Sequence, residues 1–404
     1  MTRPLEGLKV LDFSHVLAGP FATRVLGDMG ADVVKVNSEL RANATNAPEH
    51  PYYIMWNRNK RALALDLAND EGKAFCRQLC EQADIVIDNF SVGVLDRWGV
   101  GYDVVREMNP GVIYIQMSGM GEGGPWSKYV TYAPTIHALA GLTSMTGVEG
   151  REDIGLGFSY NDHQSGLHGV VAILAALEAR AHSGEGQRIE VSQFEVGANF
   201  AGPSLLDYFA NNRGATATGN RLPYDQVAPH GVYRCAPLDV ASTADERWIA
   251  IACMTDDQWQ ALVELMGRPT WSQQDDYATA EGRYADAGAI DAHVSTWTAT
   301  WNDYELMAAC QAAGVPAGVV QNGRDLVERD PQLTASDFVQ PIEDPHPDVG
   351  PTWADRLPLH FETTPCETYQ RVRTLGEDNT AVLKDWLDMD RQTVADKEAS
   401  GVFK

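Results

Sequence analysis

The chain has 404 residues, 44% hydrophobic and 22% charged, a composition that excludes a disordered chain and is long enough for two folded domains. Its net charge of -25, from 31 Lys plus Arg against 56 Asp plus Glu, excludes the broad basic surface that nucleic acid or an anionic membrane would require. No run reaches the ~18 apolar residues of a membrane span, and residues 1–9 lack an apolar signal segment, so the expected location is the cytoplasm.

In chain order, Lys9–Phe13 reads as a short apolar strand. A turn at His15–Pro20 follows, then a helix to about Met29 with Pro20 suited to its first position. Gly30 stops that helix, and Ala31–Val36 and Arg61–Leu67 read as the next two strands. Asn69 is placed to cap a helix through about Gln82, Asp84–Asn89 gives a fourth strand, and a helix before Asn109 leads to a fifth at Val112–Met117. Strands alternating with helices predict an α/β fold with a doubly wound, mostly parallel, Rossmann-like sheet. The dinucleotide fingerprint is missing, however. Ser14-His15-Val16-Leu17-Ala18-Gly19-Pro20 stands where Gly-x-Gly-x-x-Gly belongs, so neither NAD nor FAD is expected.

Residues 163–181 are the clearest helix, with Val170, Val171, Leu174 and Leu177 on one apolar side, and Gln187–Val191 returns as a strand. The Asn-, Gly- and Pro-rich stretch 201–230 reads as a linker. A second, smaller α+β module spans 231–330, with a strand near Trp248–Ala252 and helices at Asp256–Met266 and Asp303–Ala313. Residues 331–360 read as a return linker, and 361–404, with a helix at Gly376–Trp386, complete the large domain begun by residues 1–200. The six cysteines form no Cys-x-x-Cys pair. Cys76 and Cys80, four apart on a predicted helix, read as core packing, and no metal is expected.

Asp162, in Ser159-Tyr160-Asn161-Asp162-His163, precedes the long helix. One reading is an N-cap, which accepts hydrogen bonds from the free amides of the first turn. The other is a carboxylate held ionised by the helix N-terminus, as a covalent nucleophile needs to be. Arg58, Lys60 and Arg61 are the densest basic cluster of the first half, either a solvated strand edge or an anion site. His15 and His137 read as structural. His163 either tunes its neighbour or is simply exposed.

Several blocks together resemble one family. They are Leu8–Pro20, Leu26–Val36, Asn57–Arg61 with Leu65-Asp66-Leu67, and Asp88-Asn89-Phe90 with Leu95-Asp96-Arg97. Ser118–Gly121 with Gly124-Pro125, Asp162–Leu177, Gly184–Gln187, Pro229–Cys235, Gly314–Gly318 and Leu375–Asn379 continue in the same order. The set is similar to the CaiB/BaiF family, the family III coenzyme A transferases and related racemases.

The resemblance implies that Asp162 attacks an acyl-CoA and relays the group as an aspartyl mixed anhydride and then an aspartyl–CoA thioester. It implies CoA contacts at His15, Val16, Ala18, Arg58, Lys60, Arg61, Leu65, Asn89, Phe90, Arg97 and Trp98, with Leu17 where formyl-CoA transferases carry Gln. Tyr132 and Tyr160 would line the acid's pocket. Ser38 and Ala68 stand where basic residues are expected, which leaves Arg41 or Lys128 as phosphate contacts. The run of consecutive glycines seen in formyl-CoA transferases is missing. The racemases' His is also missing, because Thr131-Tyr132-Ala133 occupies that segment, so transfer is expected rather than racemisation. An interlocked homodimer, or a heteromer with a related chain, is implied. Tyr132, Leu17, Trp98 and Tyr160 suit a bulky acid, so succinyl-CoA is the expected donor and an aryl or alkyl dicarboxylate the expected acceptor.

Overall fold

The computed structural model describes residues 2–403 apart from 40–46, 48–49, 238–245, 343 and 348. The chain divides into two compact units. The larger comprises Met1–Thr143, Gly155–Gly214 and Thr334–Lys404, and the smaller Ser144–Ile154 and Ala215–Leu333.

The larger unit begins β1 (Lys9–Asp12), α1 (Ala18–Asp28), β2 (Asp32–Asn37), α2 (Pro51–Asn57), β3 (Lys60–Ala64), α3 (Asp70–Gln82) and β4 (Ile85–Asp88). It continues α4 (Val94–Arg97), α5 (Tyr102–Met108), β5 (Ile113–Gln116), α6 (Ala133–Leu139), α7 (Tyr160–Ser183), β6 (Gln187–Glu190), α8 (Gln193–Phe200) and α9 (Gly202–Asn211). Six strands form one sheet in the order β3-β2-β1-β4-β5-β6, every pairing parallel. The expected doubly wound α/β sheet is therefore present.

Alternation along the strands builds two apolar layers, because successive strand residues point to opposite faces. Val10, Val33, Ile85, Ile87, Ile113 and Ile115 face α1 and α7, where Ala22, Leu26, Val170 and Ile173 meet them. Leu11, Val34, Leu63, Val86 and Tyr114 pack with Cys76, Leu79 and Cys80 of α3 and with Val382, Leu383 and Trp386 near the C-terminus. Strands buried on both faces are near-continuous apolar runs, and each such aliphatic side chain contributes about 1.5–3 kcal/mol by leaving water. Asn69 does cap α3, its side chain accepting from the Gly72 amide.

Local boundaries differ from the sequence reading where a helix starts earlier than its apolar stripe. Helix α1 begins at Ala18, so Pro20 is its third residue. Helix α7 begins at Tyr160 after Ser159, which puts Asp162 inside the first turn and not at the cap. Its apolar residues also divide: Val170 is buried, whereas Val171 and Leu174 are exposed. Residues 202–211, read as linker, are α9. In the smaller unit, β7 (His230–Arg234), β8 (Trp248–Ala252) and β9 (Ala317–Val319) form an antiparallel sheet. Its core includes Ile249, Ile251, Trp259, Ile290 and Leu306. The unit also takes in residues 144–154. Residues 334–360, read as a return linker, belong to the larger unit and carry the hairpin of β10 (Val339–Pro341) and β11 (Trp353–Asp355). Among the described residues no helix is long and apolar enough to cross a membrane.

Candidate active site

In an open parallel sheet, loops diverge beyond the carboxyl ends of the strands where the order reverses, and a crevice opens there. Here the reversal lies between β1 and β4. A cleft of about 340 Å³ opens at that point, lined by His15 and Val16 after β1, Asn89–Ser91 after β4, and Ser118–Met120 after β5. Gln193 after β6, the segment from Tyr129 to Pro134, Ile136, Ser159 and Asp162 complete the wall.

The loop after β1 is held rigidly. The Asn89 side chain accepts from the His15 amide at 2.7 Å and donates to the His15 carbonyl at 2.8 Å. Val16, in this clamped loop, has φ +63°, a left-handed conformation that is strained for a β-branched residue and persists only where surroundings enforce it. The His15 ring packs on Phe90 at 5.2 Å, and Phe90 meets Trp98 edge-on at 5.6 Å, so Trp98 backs the aromatic wall.

Asp162 stands in the first turn of α7, on the wall of the cleft. Close packing fixes this end of the helix, since a Cβ on Gly166 would stand 2.8 Å from the Ala18 carbonyl oxygen and from the Phe21 ring. The Asp162 Oδ2 is shielded from solvent and has no hydrogen-bond partner. Burial pushes the carboxyl up to about 6, opposed only by a hydrogen bond from its own amide. A helix N-terminus by itself would hold the carboxyl as the anion. Instead desolvation outweighs it. His163 does not tune the carboxyl. Its ring lies between Phe21 and Trp56, each at 5.1 Å, and its Nδ1 bonds the Ser159 carbonyl at 2.8 Å.

A profile of CoA-transferase family III matches residues 5–379. The chain belongs to CoA-transferase family III. It is 30% identical to a formyl-CoA:oxalate CoA-transferase of Streptomyces coelicolor, the match covering 99% of each chain. It is 31% identical to a succinate–glutarate CoA-transferase of Agrobacterium fabrum, covering 96% of this chain and 97% of that one. Among solved structures, a CaiB/BaiF family protein from Brucella suis superposes with a TM-score of 0.84 at 29% identity, over 96% of this chain and 100% of that chain. The chain is thus a CoA transferase, acting between an acyl-CoA and an acid.

For a family III chain, the expected site residues fall into two groups. His15, Val16, Asn89, Phe90, Tyr132 and Asp162 converge on the cleft. The basic cluster does not. Lys60 is buried, and its ammonium donates to Asp12 Oδ2 at 3.1 Å, the Pro20 carbonyl at 3.0 Å and Asn57 Oδ1 at 3.0 Å, which uses all three of its N–H donors. Arg58 is buried between Asp28 and Asp355 and lies over the Tyr369 ring at 4.6 Å. Arg61 pairs with Asp32 and Asp385. These three cations neutralise carboxylates of the larger unit, and their donors are not turned to an external anion. Leu17, Ala18 and Leu65 are fully buried in apolar packing rather than on the cleft. Tyr160 packs on Phe158 and Phe200 instead of the cleft. Arg97 on α4 is exposed, as is Lys128 beside the lining segment, and neither has an ion pair among the described residues. Arg41 lies outside the described residues.

Ser118 and Gln193 escaped the sequence reading as site residues. Both are buried and line the cleft, and Ser118 Oγ and Gln193 Oε1 have no hydrogen-bond partner. The signal for Ser118 was its position at the carboxyl end of the fifth strand. Gln193 opens α8, whose start is marked by Ser192 with Glu195 three residues on, and the Ser192 hydroxyl indeed accepts from the Glu195 amide.

Proposed function

We propose that Asp162 is the covalent relay of the CoA transfer. Its carboxylate attacks the thioester carbonyl, the C–S bond breaks, and CoA leaves as thiolate from an acyl–aspartyl anhydride. The thiolate then attacks the aspartyl carbonyl, so the donor acid departs with an oxygen that belonged to Asp162. The aspartyl–CoA thioester left behind is attacked by the acceptor carboxylate. Return of the thiolate to the acceptor's acyl carbon releases the new acyl-CoA and restores the carboxylate. The acyl bond energy is conserved at each exchange, and a series of easier steps replaces one difficult one.

The observation that carries this reading is the shielded, partnerless Asp162 oxygen at a cleft built on four strand ends. An apparent pKa of about 6 leaves about nine-tenths of the side chain ionised at pH 7. Acylation turns a poorly solvated charge into a neutral carbonyl, so the burial that penalises the resting anion favours attack. Gly119 lines the same cleft, and its amide is the one proposed to stabilise the oxyanion.

Arg97 and Lys128 are the cations proposed for the CoA phosphates. The cleft's volume and its Phe90, Tyr129 and Tyr132 walls favour an acid larger than formate, with succinyl-CoA as the proposed donor. A formyl group would leave room for water, which hydrolyses an anhydride. Exposed apolar side chains on α7 (Leu167, Val171, Leu174) and α9 (Leu205, Leu206, Phe209) support pairing with a second copy of this chain. Six buried free thiols are compatible with a reducing cytoplasm.

The test is exchange of isotopically labelled acids into a panel of acyl-CoA esters. Asp162→Asn should lose at least a thousandfold in exchange while staying folded. Wild-type rates in that variant would overturn the relay, and a strong preference for formyl-CoA would overturn the proposed donor.

A further inference from the structure

The first amides of any α-helix lack intrahelical acceptors and need partners from elsewhere. In α7 the partners of the Tyr160, Asn161 and Asp162 amides can be traced. The Tyr160 amide donates to the Phe158 carbonyl at 2.8 Å, and the Asp162 amide serves its own carboxyl. Ser159, at the N-cap, makes no side-chain cap bond. The remaining amide, of Asn161, donates 3.2 Å to Nε2 of His137, a buried residue on α6. The helix that carries the nucleophile is therefore capped by an imidazole from a different helix.

We propose that His137 is a positioning residue for Asp162, holding the first turn of α7 through the Asn161 amide only while its ring is neutral. This rests on the reading of Asp162 as the nucleophile. To accept, Nε2 must be bare, so the single ring proton sits on Nδ1. The imidazolium has no acceptor to offer, and the Asn161 amide would then face a positive charge.

The same turn is tied down on its other sides. The Asn161 side chain donates to the Gln193 carbonyl at 2.8 Å, and Gln193 donates from Nε2 to the Met117 carbonyl at 2.9 Å. A Cβ on Gly197 would fall 2.7 Å from Asn161 Oδ1 and 2.8 Å from the Ala140 Cβ, so α8 presses on the α6–α7 junction. Loss of the His137 bond thus leaves Asp162 displaced within a packed site instead of unfolding it. Displacements of about 1 Å cost about a hundredfold in turnover.

A second observation makes the ring responsive to pH. His137 also lines a separate cavity of about 470 Å³ with Tyr52, Pro134 and Phe158, which gives protons a route to it. Burial holds its pKa below the usual imidazole value. The ionisable groups on the elements around it are Tyr160, Asp162 and His163 at the start of α7, Glu195 on α8, Tyr52 on α2 and Tyr132 at the head of α6. Because Asp162 also gains its proton on the acid side, the two ionisations must be separated by substitution.

The experiment compares full-length wild type, His137→Leu, His137→Gln and Asp162→Asn in the acid-exchange assay, with thermal melts as a fold control. His137→Leu should lose about a hundredfold in kcat, with KM for acyl-CoA within about twofold. His137→Gln, whose amide oxygen can accept the same N–H, should recover to within about tenfold of wild type. On the acid side, log kcat/KM of wild type should fall with a slope steeper than one. The Gln variant should fall with a slope of one, set by Asp162 alone. Wild-type kcat in a folded His137→Leu, or equal acid slopes in wild type and His137→Gln, overturns the inference. Should the Leu variant not fold, the slope comparison decides by itself. An inert Asp162→Asn beside a fully active His137→Leu defeats only this inference. An active Asp162→Asn defeats the nucleophile reading beneath it.

Discussion

Replacing Asp162 with Asn should make the protein more stable at neutral pH while abolishing its activity. The Asp162 carboxyl is raised from 3.8 to about 6 by burial, a shift of about two units at 1.36 kcal/mol each. That corresponds to ~3 kcal/mol for full desolvation, and partial solvent access to the side chain brings the expected value to about 1–2 kcal/mol. The sign follows from linkage. The folded state holds its proton more tightly than the unfolded one, so the penalty is absent below about pH 3.8, grows as pH rises through about 6, and is complete above that. Urea unfolding of both proteins at pH 4, 6 and 8 measures it. The Asn variant should gain about 1–2 kcal/mol at pH 8 and about half a kcal/mol or less at pH 4. An Asn variant less stable than wild type at pH 8 would mean that the carboxylate is solvated or paired, and the account of its reactivity would fail.

Lys60→Met should destabilise the fold by about 3–5 kcal/mol, because it leaves the buried Asp12 short of a counter-charge. KM for acyl-CoA in the folded fraction should move less than about twofold, and an intact melting temperature with a raised KM would restore Lys60 as a phosphate ligand. Arg97→Ala with Lys128→Ala should raise KM for acyl-CoA about tenfold at low salt with kcat little changed. The gap should narrow as ionic strength rises, since exposed charges are screened. If two copies pair through α9 as proposed, Phe209→Glu should lower the sedimentation coefficient to that of a monomer, and an unchanged coefficient would mean that the α9 face is not the contact.

Much of the fold was legible because the strands of the larger unit are short apolar runs punctuated by Gly, Asn and Pro. Asp162 stood out through its place in an ordered set of blocks, and the fold sets it on the cleft wall. The pairing of the basic cluster was not legible, for a physical reason. Arg58, Lys60 and Arg61 are adjacent in sequence, but their partners Asp28, Asp12, Asp32, Asp355 and Asp385 are up to 324 residues away. Proximity along the chain therefore said nothing about which charges were already neutralised. The short helices α2 and α6 carried weak signals, a Pro in the first turn of each, and seven residues give no apolar period to read. The elevated Asp162 pKa could not be read locally, because it comes from burial, which tertiary packing and not neighbouring sequence decides.

The central claim is that the aspartyl side chain at position 162 is acylated during turnover. Quenching the enzyme with hydroxylamine in the presence of an acyl-CoA should convert that carboxyl to a hydroxamate, found by peptide mass spectrometry only when the thioester is supplied. An unmodified Asp162 peptide from enzyme that is exchanging acids at full speed would contradict the account.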